Sequence, residues 1–221
     1  MNKPADKLTV AIVDDDPDFR DSLRWLLASV DLSVRCYPDG ESFLEDLQPD
    51  LGCVLLDVRM PGLSGIQVLE RLKERDEKVA VIIVTGHGDV PMAVHALTDG
   101  RAFDFIEKPF NDQHMIDSVQ EAINHTRKQR EESAYLDQLR QRFRALKPKE
   151  QQILRHAAEG LTSRQISDCM DVSPKTAEIY RVRAMKKMGA SSLLHWVRMA
   201  EALKLLRPLN TLTEPSGNGS D

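Results

Sequence analysis

The first half of the chain alternates short apolar runs with stretches whose apolar positions recur at helical spacing. Leu8 to Val13, Cys53 to Leu56 and Val79 to Val84 are nearly continuous apolar runs, the pattern of strands buried on both faces. Ser33 to Tyr37 and Phe103 to Glu107 read as two further strands. Between them, Asp16-Pro17 starts a helix through Phe19, Leu23, Leu26 and Leu27, with Asp16 as N-cap and Pro17 in the first turn. Gly40–Leu47 and Gly65–Arg75 predict the next two helices. Asp89 caps a fourth over Val90–Leu97, which Gly100 closes. A fifth begins near Asp112 and carries Ile116, Val119 and Ile123. Strand and helix alternate five times, which predicts a parallel, doubly wound α/β sheet.

From Leu146 to Leu205 the strand pattern is absent and helix signals crowd together. Pro148 opens a helix that ends at Gly160, and Thr162 caps a second over Ser163–Met170. Asp171-Val172 is a tight turn, and Ser173-Pro174 opens a third helix through Met188, which Gly189 stops. Ser191 or Ser192 starts a fourth. A short helix, a tight turn and a basic helix make a helix-turn-helix arrangement in an all-α domain. Ala177, Tyr180, Ala184 and Met188 share the core face of the third helix, while Lys175, Glu178, Ile179, Val182, Arg183 and Lys186 lie largely opposite.

The segment between the halves is charged, free of Gly and Pro, and helix-forming. Leu136, Leu139, Phe143 and Leu146 repeat at coiled-coil-like spacing. The step from Ile123 to Leu136 turns a helix by ~220°, so the two apolar stripes face different ways. That argues against one continuous dimer seam, and local docking on one domain is the alternative. The predicted domains are 1–124, a helical linker at 125–145, a helical domain at 146–208 and a polar, disordered tail at 209–221.

Charge sharpens this division. The net charge is −12 over residues 1–124 and +7 over the remainder, together the −5 of the whole chain. An acidic front and a basic back predict a cation site in one and a polyanion partner for the other. The three cysteines are widely separated, which fits neither a disulfide framework nor a metal site. No apolar run approaches the roughly 20 residues needed to cross a bilayer, and the N-terminus has no signal-peptide core. A cytoplasmic location without membrane attachment is the expectation.

All parallel strands point the same way, so Asp14, Asp15, Asp57, Thr85 and Lys108, which follow four different strands, converge on one edge. Three carboxylates repel one another unless a cation sits among them, and Mg²⁺ suits such hard oxygen donors. An Asp beside Mg²⁺, with a Lys and a Thr in reach, suits nucleophilic attack on phosphorus. No phosphate-cradling Gly-rich nucleotide loop is present.

These residues carry a resemblance. Ile12-Val13-Asp14-Asp15-Asp16, Leu56-Asp57-Val58-Arg59-Met60-Pro61-Gly62, Val84-Thr85-Gly86 and Glu107-Lys108-Pro109-Phe110 resemble the flavodoxin-like receiver domain of two-component response regulators. The resemblance implies that Asp57 accepts a phosphoryl group from a phosphohistidine on a sensor histidine kinase. It also implies that Asp14, Asp15, Asp57 and the backbone carbonyl of Arg59 hold Mg²⁺. Thr85 and Lys108 would bind the new phosphate, Phe105 would swing inward as Thr85 moves, and the Lys108-Pro109 bond would be cis. The stretch Gly86 to Val94 is similar to the FixJ-type branch, although the loop at Gly100-Arg101 is one residue longer than usual there.

Leu146-Lys147-Pro148-Lys149-Glu150, Ala158-Glu159-Gly160-Leu161-Thr162 and Val172-Ser173-Pro174-Lys175-Thr176 resemble the LuxR/FixJ-type DNA-binding domain, with Tyr180, Ala177 and Val182 departing from its usual residues. With Thr176 of that motif, the candidate DNA contacts are Lys175, Thr176, Glu178, Ile179, Val182, Arg183 and Lys186. The implied function is a response regulator, not an enzyme beyond its own phosphotransfer and dephosphorylation. Phosphorylation at Asp57 would drive homodimerisation and binding to double-stranded promoter DNA, with RNA polymerase as a candidate partner. A phosphoester-cleaving enzyme is one rival, but it lacks an Asp-x-Asp nucleophile motif. A regulator whose receiver only binds partners is another, against which Thr85, Lys108 and the acidic residues all stand.

Overall fold

Five strands, β1 (Thr9–Val13), β2 (Ser33–Tyr37), β3 (Leu51–Leu56), β4 (Ala80–Thr85) and β5 (Asp104–Glu107), pair in parallel in the order β2-β1-β3-β4-β5. The computed structural model describes residues 8–86, 98 and 102–206. The chain divides into two units between Glu131 and Glu132. The helix predicted over Val90–Leu97 with its Asp89 cap, the Gly100-Arg101 loop and the 209–221 tail lie outside the described residues.

Alternation along the strands feeds two cores. Ala11, Val13, Val54, Leu56, Val81 and Ile83 face helices α2 (Gly40–Glu45) and α3 (Gly65–Glu74), meeting Phe43, Leu44, Val68, Leu69 and Leu72. Val10, Ile12, Cys53, Leu55, Ile82 and Val84 face α1 (Pro17–Ala28) and α4 (Asp112–Arg144), meeting Leu23, Leu27, Met115, Val119 and Ala122. Burial on both faces is why these runs read as unbroken hydrophobics. Asp16 caps α1 by accepting from the amides of Asp18 and Phe19. Ser64 and Gln67 cap α3 reciprocally.

Helix α4 continues well past the sheet. The fully buried Thr126 hydroxyl accepts the Ala80 amide at 2.8 Å. Arg130 donates to the carbonyls of Lys78, Pro49 and Leu51 at 3.1, 2.8 and 2.6 Å. Residues 125–131, which pattern alone assigns to a linker, are therefore anchored on the first unit. Further along, Leu139, Phe143 and the following Leu146 are buried with Leu154, Ala184, Met188 and Trp196 in a core of the second unit. The coiled-coil-like stripe is thus covered locally rather than left open as a seam.

That second unit adds α5 (Pro148–Ala158), α6 (Ser163–Met170), α7 (Pro174–Met188) and α8 (Leu193–Ala202). Asp171 takes the left-handed conformation (φ 49°) that ends α6, and Ser173 then caps α7. Trp196 donates its indole N–H to the Leu154 carbonyl at 2.8 Å and stacks on Phe143. Ile153, Ala157, Ile166 and Ala177 lock α5, α6 and α7 together.

Candidate functional site

The sheet ladder delivers the acidic residues to one edge. Beyond the last strand residues, the Asp57 amide donates to the Val13 carbonyl at 2.9 Å and the Asp14 amide to the Tyr37 carbonyl at 3.3 Å. Helix α3 then crosses close over this edge. A Cβ on Gly65 would lie 2.1 Å from the Asp57 carbonyl oxygen, so only glycine permits the approach.

Lys108 comes from the end of β5, where its amide donates to the Thr85 carbonyl at 2.8 Å and its bond to Pro109 is cis. Its ammonium bonds Asp14 at 2.7 Å and Asp57 at 3.0 Å, and stands 3.8 Å from the centroid of the Phe19 ring. Phe19 in turn meets Phe110 edge to face. The other Asp57 oxygen accepts the Arg59 amide at 2.6 Å. One cation thus bridges two buried carboxylates from different strands.

Burial pushes the Asp57 carboxyl above its ordinary value, against the pull of the Lys108 hydrogen bond and charge, and the neighbouring Asp14 adds to the rise. Burial acts to lower the Lys108 ammonium, but its hydrogen bonds to Asp14 and Asp57 outweigh that and hold it above its usual value. Lys108 thus offsets part of the cost of burying the Asp57 and Asp14 carboxylates at this edge.

The other predicted pocket residues divide. Thr85 is buried at the end of β4, and Phe105 is half-buried on the same sheet face, opposite Ile83 in the ladder. Asp15 is exposed beside the buried Asp14. Among the described residues, no three His, Cys, Asp or Glu side chains form a ready metal cluster. The donor set nonetheless fits Mg²⁺, which commonly takes one or two carboxylates and keeps several waters. Asp14 and Asp57 already share a cation, and the Arg59 backbone adjoins Asp57.

In the second unit, Lys175, Ile179, Val182, Arg183 and Lys186 are exposed along α7. Glu178 is half-buried and occupied within the domain. Its carboxylate accepts from the Ser163 hydroxyl of α6 and from Arg181, and these bonds hold it below its usual range. Thr176 is also half-buried, sharing a hydroxyl hydrogen bond with Ser173. The sequence signal for Glu178 was its helical phase, which carries no information about Ser163.

The family described as response regulator receiver domain matches residues 10–120, and the family of bacterial regulatory proteins, luxR family, matches residues 144–200. The chain belongs to the two-component response regulators that carry a LuxR-type DNA-binding domain.

Its relatives include the transcriptional regulatory protein FixJ of Bradyrhizobium diazoefficiens, 41% identical over 193 residues, covering 86% of this chain and 93% of the relative. The response regulator protein TodT of Pseudomonas putida is 36% identical over 196 residues, covering 88% and 86%. Among solved structures, the response regulator StyR superposes with a TM-score of 0.76 at 35% identity, covering 88% of this chain and 98% of that one. Full-length FixJ from B. japonicum gives 0.55 at 39% identity, covering 91% and 99%. Of these relatives FixJ is named a transcriptional regulatory protein, and TodT and StyR are named response regulators. No described helix is long and apolar enough to cross a membrane.

Proposed function

We propose that Asp57 accepts a phosphoryl group from a phosphohistidine on a sensor histidine kinase, and that this controls binding of promoter DNA by α7. The observation that carries the reading is the Lys108 ammonium bridging Asp14 and Asp57 at the C-terminal edge of the sheet. A carboxylate oxygen of Asp57 attacks phosphorus as the donor's imidazole nitrogen leaves, giving an acyl phosphate. Lys108 neutralises charge on the transferring oxygens, and Thr85 donates its hydroxyl to the new phosphate. Asp14, Asp57 and the Arg59 carbonyl would hold Mg²⁺, with Asp15 supplying a further carboxylate. When bound, the metal supplies charge neutralisation at the phosphoryl group.

The new group adds roughly two negative charges. Drawing Thr85 toward them vacates space beside the sheet, and the half-buried Phe105 is the ring placed to fill it. The altered face then favours a homodimer that sets two copies of α7 on adjacent half-sites. The receiver's own catalysis is limited to this transfer and its hydrolysis. The working location is the cytoplasm, where RNA polymerase is the further partner.

The test compares full-length protein with and without acetyl phosphate and Mg²⁺, read by sedimentation and by binding to duplexes selected from a random pool. The phosphodonor is expected to shift the wild type toward dimer and to tighten DNA binding, with no response in Asp57→Asn. An equal response in Asp57→Asn would sink the reading.

A further inference from the structure

Helix α7 exposes two large aliphatic side chains on its charged face. Ile179 is 43% and Val182 is 56% exposed, although helix phase and space both allow polar residues there. Three residues apart, they are neighbours on one face. Lys175 precedes Ile179 by one turn, Arg183 follows it by one turn, and Lys186 follows Val182 by one turn. All three cations are exposed. The result is an apolar pair framed by positive charge.

A face of this kind matches one edge of DNA. In the major groove the thymine C5-methyl is the apolar feature, and phosphates on either side take the cations. The pair advances about 4.5 Å along the helix axis, comparable to the 3.4 Å spacing of bases along a strand, so the two side chains can meet methyls on neighbouring base pairs. Glu178, beside Ile179 in sequence, already accepts from the Ser163 hydroxyl and from Arg181.

We infer that Ile179 and Val182 are the sequence-reading pair of this regulator, and that its half-site is specified by the 5-methyl groups of adjacent thymines. The inference rests on the proposed use of α7 as the DNA reader and adds what that reader recognises. Glu178 is then a positioning residue that fixes α6 against α7.

The experiment uses the full-length protein with acetyl phosphate and Mg²⁺, and a duplex enriched from a random-sequence pool. The enriched duplex is remade with deoxyuridine at each thymine in turn, which removes one methyl and leaves every hydrogen-bonding group in place. Affinity is expected to fall about fourfold at two neighbouring positions, the effect of exposing one methyl-sized group. In Val182→Ala, which loses no core contact, one of those two positions is expected to become insensitive to the methyl. Ile179→Ala should silence the other.

Equal affinity for the thymine and deoxyuridine duplexes would overturn the inference while leaving DNA binding by α7 intact. Absence of any salt-dependent enrichment from the pool would overturn the DNA reading, and this inference with it. Loss of self-association in Ile179→Asn, with methyl sensitivity unchanged, would assign the pair to a contact between copies and overturn it as well. Circular dichroism of each variant distinguishes these results from misfolding.

Discussion

The Lys108 ammonium lies 3.8 Å from the centre of the Phe19 ring while bonding both Asp14 and Asp57. A cation over an aromatic face is worth roughly 0.5–2 kcal/mol. Phe19→Leu keeps the apolar packing and loses the quadrupole. Phosphorylation by acetyl phosphate is expected to slow by about two- to tenfold, with Phe19→Tyr close to wild type. Identical rates for all three proteins would show that Phe19 only fills space.

Gly65 is required by a backbone approach rather than by a turn. A methyl there would meet the Asp57 carbonyl oxygen at 2.1 Å, and backbone cannot step aside as a side-chain tip can. Gly65→Ala is expected to cost the first unit about 1–3 kcal/mol in urea unfolding. Phosphorylation of the folded fraction should also be impaired, because the displaced carbonyl belongs to the acceptor itself. Ser64→Ala, one residue away, removes only a helix cap and should leave the phosphorylation rate alone.

Arg130 ties α4 to the first residue of β3 and to the loops that precede β3 and β4 through three carbonyls. Arg130→Lys keeps the charge but cannot fork to three acceptors. Amide hydrogen exchange over residues 126–131 is expected to speed up in the variant, with a loss of roughly 1–3 kcal/mol in the first unit. Unchanged protection there would mean that the buried Thr126 alone holds the helix.

In the second unit the buried Glu150 carboxylate bonds the Lys187 ammonium at 2.7 Å and the Lys147 amide at 2.9 Å. These bonds hold its carboxyl below the usual range, Lys187 first. A depressed folded-state value means the unfolded chain takes up the proton first. The stabilisation is therefore present above the ordinary Glu value of about 4.3 and lost as pH falls through the folded value. Melting of the second unit should drop steeply below about pH 4.5 in the wild type. Glu150→Gln should be less stable at neutral pH and show a shallower drop, the rest coming from Glu178.

How far the sequence reached depends on the kind of signal. Asp14, Asp57, Thr85 and Lys108 were legible because each follows an apolar run, and parallel strands must end on one edge. The capping pair Ser64 and Gln67 and the Ser173-Pro174 helix start are local chemistry, readable from neighbours. Phe19 under Lys108, Arg130 on three distant carbonyls and Lys187 on Glu150 join residues far apart in the chain, and no periodicity encodes them. Glu178 shows the same limit, since helical phase carries no information about its partner Ser163. The spacing of Leu139 and Phe143 fits a seam or a local contact equally, and Trp196 and Met188 cover it from within the same unit.

The central claim is that Asp57 is the phosphoacceptor. Intact-protein mass spectrometry after acetyl phosphate and Mg²⁺, followed by borohydride trapping and peptide mapping, tests it most directly. The account predicts one added phosphoryl group, mapped to Asp57, absent in Asp57→Asn and strongly reduced in Lys108→Met. A full phosphoryl gain in Asp57→Asn, or a trapped group on any other carboxylate of the wild type, would contradict it.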